Sequence, residues 1–224
     1  PYLIPNIALV DPDLTLSLPP AITASTGMDA LAQLIEPYVS KKANAMTDAL
    51  ALYGIELINR SLIKAYQKGE DRGNRKEMSL ASLMSGLALA NSGLGLAHAL
   101  AHPMGARFGV PHGVGCAIML PYVMEFNLES RAEKYARVSR ALGIDTRELL
   151  PREAARKGLE RVREISRTIG ISPQLSGWGI KEKNLAPIAR ESKGPSRNGN
   201  PRTATDEECV ELLRKALQGE WVDV

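Results

Sequence analysis

Several residue types are scarce in this chain of 224 residues. Phe, Trp and Tyr together make up 4% of the sequence, and its two cysteines, Cys116 and Cys209, lie far apart. Strands favour aromatic and β-branched residues, whereas the abundant Leu and Ala are strong helix formers. The composition therefore favours a helical protein. Two distant cysteines without a CxxC motif are typical of free thiols in a cytoplasmic protein, not of a disulfide framework.

Other absences argue against whole classes of function. The net charge is only +3, and acidic and basic residues are interleaved, which argues against a nucleic-acid partner. Apolar runs stay well below the ~20 residues of a membrane span, and no signal peptide opens the chain. The sequence also has no βαβ alternation, no GxGxxG and no P-loop. It begins on Pro1 without Met, as a piece of a longer protein would.

The order of the patterns predicts an all-α, multi-helix domain preceded by a short extended segment. Residues 1–20 are punctuated by Pro and Asp, with one short strand predicted over residues 7–10. Residues 21–224 are predicted to form the helical domain, in which Gly93 and Gly95 are predicted to separate two helices. Ser25 or Thr26 is predicted to cap its first helix, which Pro37 should end or kink near Glu36. The stretch ESKGPSRNGNPRTAT is predicted to be a surface loop.

All three histidines of the chain lie in the stretch 93–113, GLGLAHALAHPMGARFGVPHG. His98 and His102 are spaced i, i+4, so they share a face if the helix persists, although Pro103 predicts that the helix ends at His102. His112 follows a short loop in which Gly105 and Gly109 permit a tight return. Imidazole suits Zn, Fe, Ni and Cu, so the cluster predicts a metal site.

The predicted first helix offers the best partner for these histidines. Asp29, Gln33 and Glu36 form a narrow polar stripe on an otherwise apolar helix, with Asp29 expected in its first turn. A buried carboxylate is costly unless it is paired or bound to a metal. Each residue alone could be a hydrogen-bonded core histidine or a first-turn charge. The spacing also leaves open which two or three histidines bind the ion.

Two long motifs carry a family resemblance. VDPDLTLSLPPAITASTGMDALAQLIE and GLGLAHALAHPMGARFGVPHGVGCAIMLPYVMEFN resemble the iron-containing (group III) alcohol dehydrogenases, which have the dehydroquinate-synthase-like fold. The resemblance implies a two-domain enzyme with an N-terminal half that binds NAD or NADP and an all-helical, metal-binding C-terminal half. The chain is similar to the second half. Residues 1–20 would then be the lead-in from a missing nucleotide-binding domain.

The resemblance also implies the site residues. By position, the metal ligands are Asp29, the residue four further on, His98 and His112, while His102 lies near the nicotinamide as a candidate catalytic proton relay. The residue four positions after Asp29 is commonly His in the metal-dependent members of the family and is Gln33 here. An amide oxygen is a poorer ligand for Fe²⁺ or Zn²⁺ than imidazole. Gln33 is therefore expected to be a weak or outer ligand.

The function implied is metal-dependent, NAD(P)-linked hydride transfer between a small-molecule alcohol and its aldehyde. A homo-oligomer is expected, without nucleic-acid or membrane partners, and with exposed apolar surface where the missing domain docks. Gln33 leaves room for an alternative: a glycerol-dehydrogenase-like or dehydroquinate-synthase-like enzyme. A further alternative is an isolated helical module that is inactive alone.

Overall fold

The chain folds into a bundle of α-helices. A computed structural model describes residues 5–219, and within that range it contains ten α-helices, three short 3₁₀ turns and no strand, which confirms the predicted all-α class. The helices are α1 (Pro20–Val39), α2 (Ala45–Gln67), α3 (Arg72–Ser92), α4 (Leu96–Phe108), α5 (His112–Asn127), α6 (Ala132–Ala141), α7 (Pro151–Thr168), α8 (Glu182–Glu191), α9 (Pro195–Gly199) and α10 (Asp206–Gln218). The 3₁₀ turns are Pro12–Thr15, Leu128–Ser130 and Ser176–Trp178.

The predicted strand over residues 7–10 is wrong. The described part of this segment is irregular and then enters the 3₁₀ turn Pro12–Thr15, which the Asp11 side chain caps. Ile7 and Leu9 are 85% and 89% exposed. A strand needs a partner for its backbone groups, and the described residues contain no other strand to pair with.

The predicted boundaries of α1 are also wrong. The helix begins at Pro20, because proline fixes a helical φ and its missing N–H is not needed in the first turn. Ser25 and Thr26 therefore lie inside the helix and donate hydrogen bonds back to the carbonyl of Ile22. Asp29 falls in the third turn instead of the first. Pro37 does not end the helix, which continues to Val39.

Pro103 does not end α4 either. The helix runs on to Phe108, so His102 lies within it, one turn beyond His98. Proline removes one backbone donor, but the rest of the helix retains its hydrogen bonds. The predicted break between two helices at residues 93–95 is confirmed, since α3 ends at Ser92 and α4 begins at Leu96. Gly93 adopts a φ of 72°, which favours glycine.

Helix α1 forms the centre of the domain. It packs against α2, α3 and α5, while α4 packs against α5 and also contacts α8 and α9. The core is made mainly of Leu, Ile, Ala and Met. Residues 191–205 are not simply a surface loop. They include α9, and Arg197 and Asn200 are buried and hydrogen-bonded.

Within residues 5–219, no single helix is both long and apolar enough to cross a bilayer. Helices α3 and α4 reach that length and composition only as a pair, and the chain bends by 103° between them.

Candidate metal centre

Three helices bring the candidate residues together. Helix α1 supplies Asp29, α4 supplies His98, and the first turn of α5 supplies His112. The crossing of α1 and α5 is very close at Gly113, where an added Cβ would lie 2.3 Å from the carbonyl oxygen of Ser25. Only glycine fits that contact. This close crossing brings His112, the residue before Gly113, against the turn of α1 that carries Asp29.

Four side chains meet at this crossing. One ligand atom each from Asp29, His98, His112 and Cys116 lies within 4.8 Å of the other three. Asp29 Oδ1 is 3.2 Å from His98 Nε2 and 3.6 Å from His112 Nε2. Cys116 Sγ is 3.6 Å from His112 Nε2. Carboxylate, imidazole and thiolate are the donors that divalent transition metals bind.

Two buried polar atoms at this centre have no hydrogen bond. Asp29 Oδ1 and His98 Nε2 approach each other to 3.2 Å, yet neither has a partner in hydrogen-bonding geometry. Such unpaired atoms are uncommon in folded proteins, since each costs ~1–3 kcal/mol of desolvation. A cation between the two atoms would satisfy both. The residues present therefore fit a divalent metal ion.

Glu36 fixes the orientation of His98. Its side chain is 3% exposed, and Oε2 lies 2.6 Å from His98 Nδ1. Glu36 also accepts hydrogen bonds from the backbone N–H groups of Gly95 and Ala97, at the start of α4. A carboxylate behind the second ring nitrogen of a histidine is the usual support of a metal-binding imidazole. The carboxylate therefore directs His98 Nε2 towards Asp29.

The charges around the site shift the proton affinities of its members. Burial opposes a charge on His98, but the Glu36 carboxylate and the neighbouring Asp29 outweigh burial and raise the pKa of His98 to about 12. Burial raises the pKa of the Cys116 thiol to about 12. Burial lowers the pKa of His112, which keeps that imidazole neutral.

Gln33 lies beside the centre with its amide already engaged. Its Nε2 donates to Asp29 Oδ2 over 2.9 Å, and its Oε1 accepts from Ser85 Oγ over 2.9 Å. Turning the amide over would place two acceptor oxygens face to face. Gln33 thus presents N–H to Asp29 and leaves Oδ1 as the oxygen that faces the histidines.

His102 lies at the outer side of the cluster. Its side chain is exposed, and its ring centroid is 5.1 Å from that of His112. His112 is itself 42% exposed, whereas His98 is buried at 1%. The cluster is therefore buried on the side of His98 and open to solvent on the side of His112. His102 lies on this open face.

The structure brings together three of the residues predicted from sequence, Asp29, His98 and His112, and places His102 next to them. Sequence reasoning missed Cys116 as a neighbour. The available signal was its spacing four residues after His112 on one helix, which puts both on the same face. It also missed that Glu36 supports His98, although Glu36 was placed on the same stripe as Asp29.

The fold and the cluster define an all-α domain with a candidate metal centre between three helices. Residues 23–217 match the model of the Fe-containing alcohol dehydrogenase family, C-terminal. The chain belongs to this family, of which it carries the C-terminal domain.

Curated relatives agree with this assignment. The chain is 38% identical over 217 residues to lactaldehyde reductase from Escherichia coli (strain K12), covering 96% of this chain and 56% of the relative. It is 35% identical over 214 residues to NAD-dependent methanol dehydrogenase from Bacillus methanolicus, covering 95% of this chain and 56% of that protein. The chain therefore spans about half the length of the curated relatives it matches.

Solved structures resemble the fold closely. A crystal structure of 1,3-propanediol oxidoreductase superposes with a TM-score of 0.91 at 38% identity, over 92% of this chain and 54% of the other. The iron-containing alcohol dehydrogenase from Thermococcus thioreducens superposes with a TM-score of 0.86 at 32% identity, over 98% of this chain and 57% of that one.

Proposed function

We propose that the chain is the metal-binding domain of an NAD(P)-linked alcohol dehydrogenase that interconverts small alcohols and aldehydes. The observation that carries this proposal is the pair of unpaired buried atoms, Asp29 Oδ1 and His98 Nε2, beside His112. Family membership supports it, and the relatives are named for small substrates such as lactaldehyde and methanol. Both the dinucleotide and the second half of the cleft would come from the part of such an enzyme that lies outside the region matched in these relatives.

In this proposal, Asp29, His98 and His112 hold the divalent ion. When bound, such an ion acts as a Lewis acid towards the alcohol or carbonyl oxygen. Glu36 engages Nδ1 of His98, which leaves Nε2 as the ring nitrogen that points at Asp29. The nicotinamide, held by the other half of the enzyme, would supply the acceptor for hydride from the alcohol carbon.

His102 is proposed as the proton relay. It stands on the open face, its ring 5.1 Å from that of His112, where alcohol substrate enters. An imidazole nitrogen of His102 would accept the proton that leaves the alcohol and pass it to solvent. Histidine suits this role because its ordinary pKa lies near neutrality.

Metal analysis of single variants tests these roles. We expect His98→Ala and His112→Ala to lose bound metal, because each removes one of three strong ligands. His102→Ala is the matched control and should keep its metal, while hydride transfer slows in the chain joined to a nucleotide-binding half. Unchanged metal content in His98→Ala or His112→Ala would contradict the ligand assignment. Loss of metal in His102→Ala would reverse the roles.

A further inference from the structure

The fourth donor at the centre is a thiol. Cys116 is fully buried in α5, one helical turn after His112, and its sulfur belongs to the same compact group as Asp29 and the two histidines. The sulfur lies 3.6 Å from His112 Nε2. The other buried cysteine, Cys209, lies in α10 and is not part of this group.

Three of the six donor-to-donor separations match the edges of a tetrahedral site, and all six are within 4.8 Å. With metal–nitrogen and metal–oxygen bonds of ~2.1 Å and a metal–sulfur bond of ~2.3 Å, a nitrogen–sulfur edge is about 3.6 Å and a nitrogen–oxygen edge about 3.4 Å. The observed Cys116 Sγ–His112 Nε2 separation is 3.6 Å, and Asp29 Oδ1 lies 3.2 and 3.6 Å from the two histidine nitrogens. These donors can enclose one ion without a large rearrangement.

A second observation points to a ligand at the same place. The side chain of His98 is only 1% exposed, yet its Nε2 has no hydrogen-bond partner and faces this group. Gln33, in contrast, is fully engaged by Asp29 and Ser85 and turns its N–H towards the site. An amide N–H is a donor and cannot ligate a cation.

We infer that Cys116 Sγ is the fourth protein ligand of the metal in this chain, and that Gln33 is a positioning residue that holds Asp29. This inference rests on the proposed metal centre. On binding, the Cys116 thiol releases its proton to water, so that a thiolate binds the ion beside the neutral imidazole nitrogens. No electron is transferred.

The ligand set has a consequence for metal choice. Thiolate is a soft donor and favours Zn²⁺ over Fe²⁺ more strongly than an oxygen or nitrogen donor in its place. Cys116 Sγ lies on the buried side of the group, beside His98, whereas Asp29 and His112 border the side that is open to solvent. The open face therefore remains available for a substrate oxygen as a fifth ligand, a coordination number that zinc sites can reach.

Cobalt substitution of the 224-residue chain tests the inference. After chelator treatment, Co²⁺ alone is titrated into the protein, and we expect a near-ultraviolet thiolate-to-cobalt charge-transfer band that saturates at one equivalent. Cys116→Ser should abolish the band and raise the Co²⁺ dissociation constant at least about tenfold. Loss of a residue that only supports a ligand already weakens metal binding by that factor. Cys209→Ser is the matched control and should leave band and affinity unchanged.

Two further measurements define the outcome. In Cys116→Ser the ratio of Zn²⁺ to Fe²⁺ affinity, measured without oxygen, should fall. In Gln33→His/Cys116→Ser, tight Co²⁺ binding should return without the charge-transfer band. Stoichiometric Co²⁺ binding by the unaltered protein without that band would overturn the role of Cys116 and leave the proposed function intact. Failure of the unaltered protein to bind Co²⁺ or Zn²⁺ would instead contradict the metal centre itself.

Discussion

At the scale of the residue, Glu36 has to satisfy three polar groups of the site at once. Its two oxygens accept from two backbone N–H groups at the start of α4 and lie against Nδ1 of His98. An amide in its place keeps one acceptor oxygen but turns two donors towards these groups. A neutral side chain also removes the charge that favours protonated His98.

We therefore predict that Glu36→Gln lowers metal affinity about 10–100-fold, because His98 loses its orienting partner. Isothermal titration with Zn²⁺ measures the change. The matched control is Glu56→Gln, a change at an exposed position of α2. Equal affinities in Glu36→Gln and the unaltered protein would mean that His98 is oriented by its packing alone.

At the scale of the element, the site depends on how closely α1 and α5 cross. A methyl group on Gly113 would meet the backbone carbonyl of Ser25 at 2.3 Å, and backbone atoms cannot move aside as a flexible side chain can. Gly86 in α3 provides the contrast, because a Cβ there meets nothing within 4 Å.

We predict that Gly113→Ala lowers the free energy of unfolding by ~1–3 kcal/mol and weakens metal binding, since α5 must move away with His112. Gly86→Ala should instead raise the free energy of unfolding by about 0.5–1 kcal/mol, as alanine does inside an exposed helix. Denaturant titration of both variants gives the comparison. A stable Gly113→Ala protein with unchanged metal affinity would mean that the crossing of α1 and α5 can accommodate a methyl group.

The same elements mark what could be predicted from the sequence. Helical periodicity and composition were enough for the all-α class and for the break at residues 93–95, since both depend on local preference. The ends of α1 and the course of α4 through Pro103 were not, because packing against neighbouring helices outweighs the local cost of one proline. The amide orientation of Gln33 depends on Ser85 in another helix, and no local pattern encodes that contact.

At the scale of the whole molecule, a cavity with a largely apolar lining lies beside the site, not at it. A cavity of about 480 Å³ runs between α1 and α3, and Thr26 and Ala30, near Asp29 along α1, form part of its wall. Leu83 and Leu87 line it as well, and they are 40% and 46% exposed. The domain thus presents apolar surface next to the candidate metal centre.

We expect this surface to make the chain self-associate at high concentration, because burial of exposed apolar area is favourable. Sedimentation velocity should show reduced association for Leu83→Ser/Leu87→Ser. Met46→Ser, a change at a residue 77% exposed on α2, is the control. Sedimentation of the unaltered chain as a strict monomer at high concentration would contradict this expectation.

We also predict that this chain alone binds NADH and NADPH weakly. It spans about half of its curated relatives, and its sequence has no glycine-rich phosphate loop. Fluorescence titration measures the affinity directly. Tight binding of either nucleotide would place the dinucleotide site on this domain. It would contradict the proposal that the other half of the enzyme binds the dinucleotide.

The contacts of Glu36 also determine when the site becomes ordered. The same carboxylate that starts α4 holds the imidazole of His98, so the rotamer of this ligand is selected as the helix docks on α1. The conformational entropy of His98 is then lost during folding and not during metal capture. In the proposed metal centre, an arriving ion would meet a preorganised nitrogen, and changes that loosen the start of α4 would slow or weaken its capture even when every proposed ligand is intact.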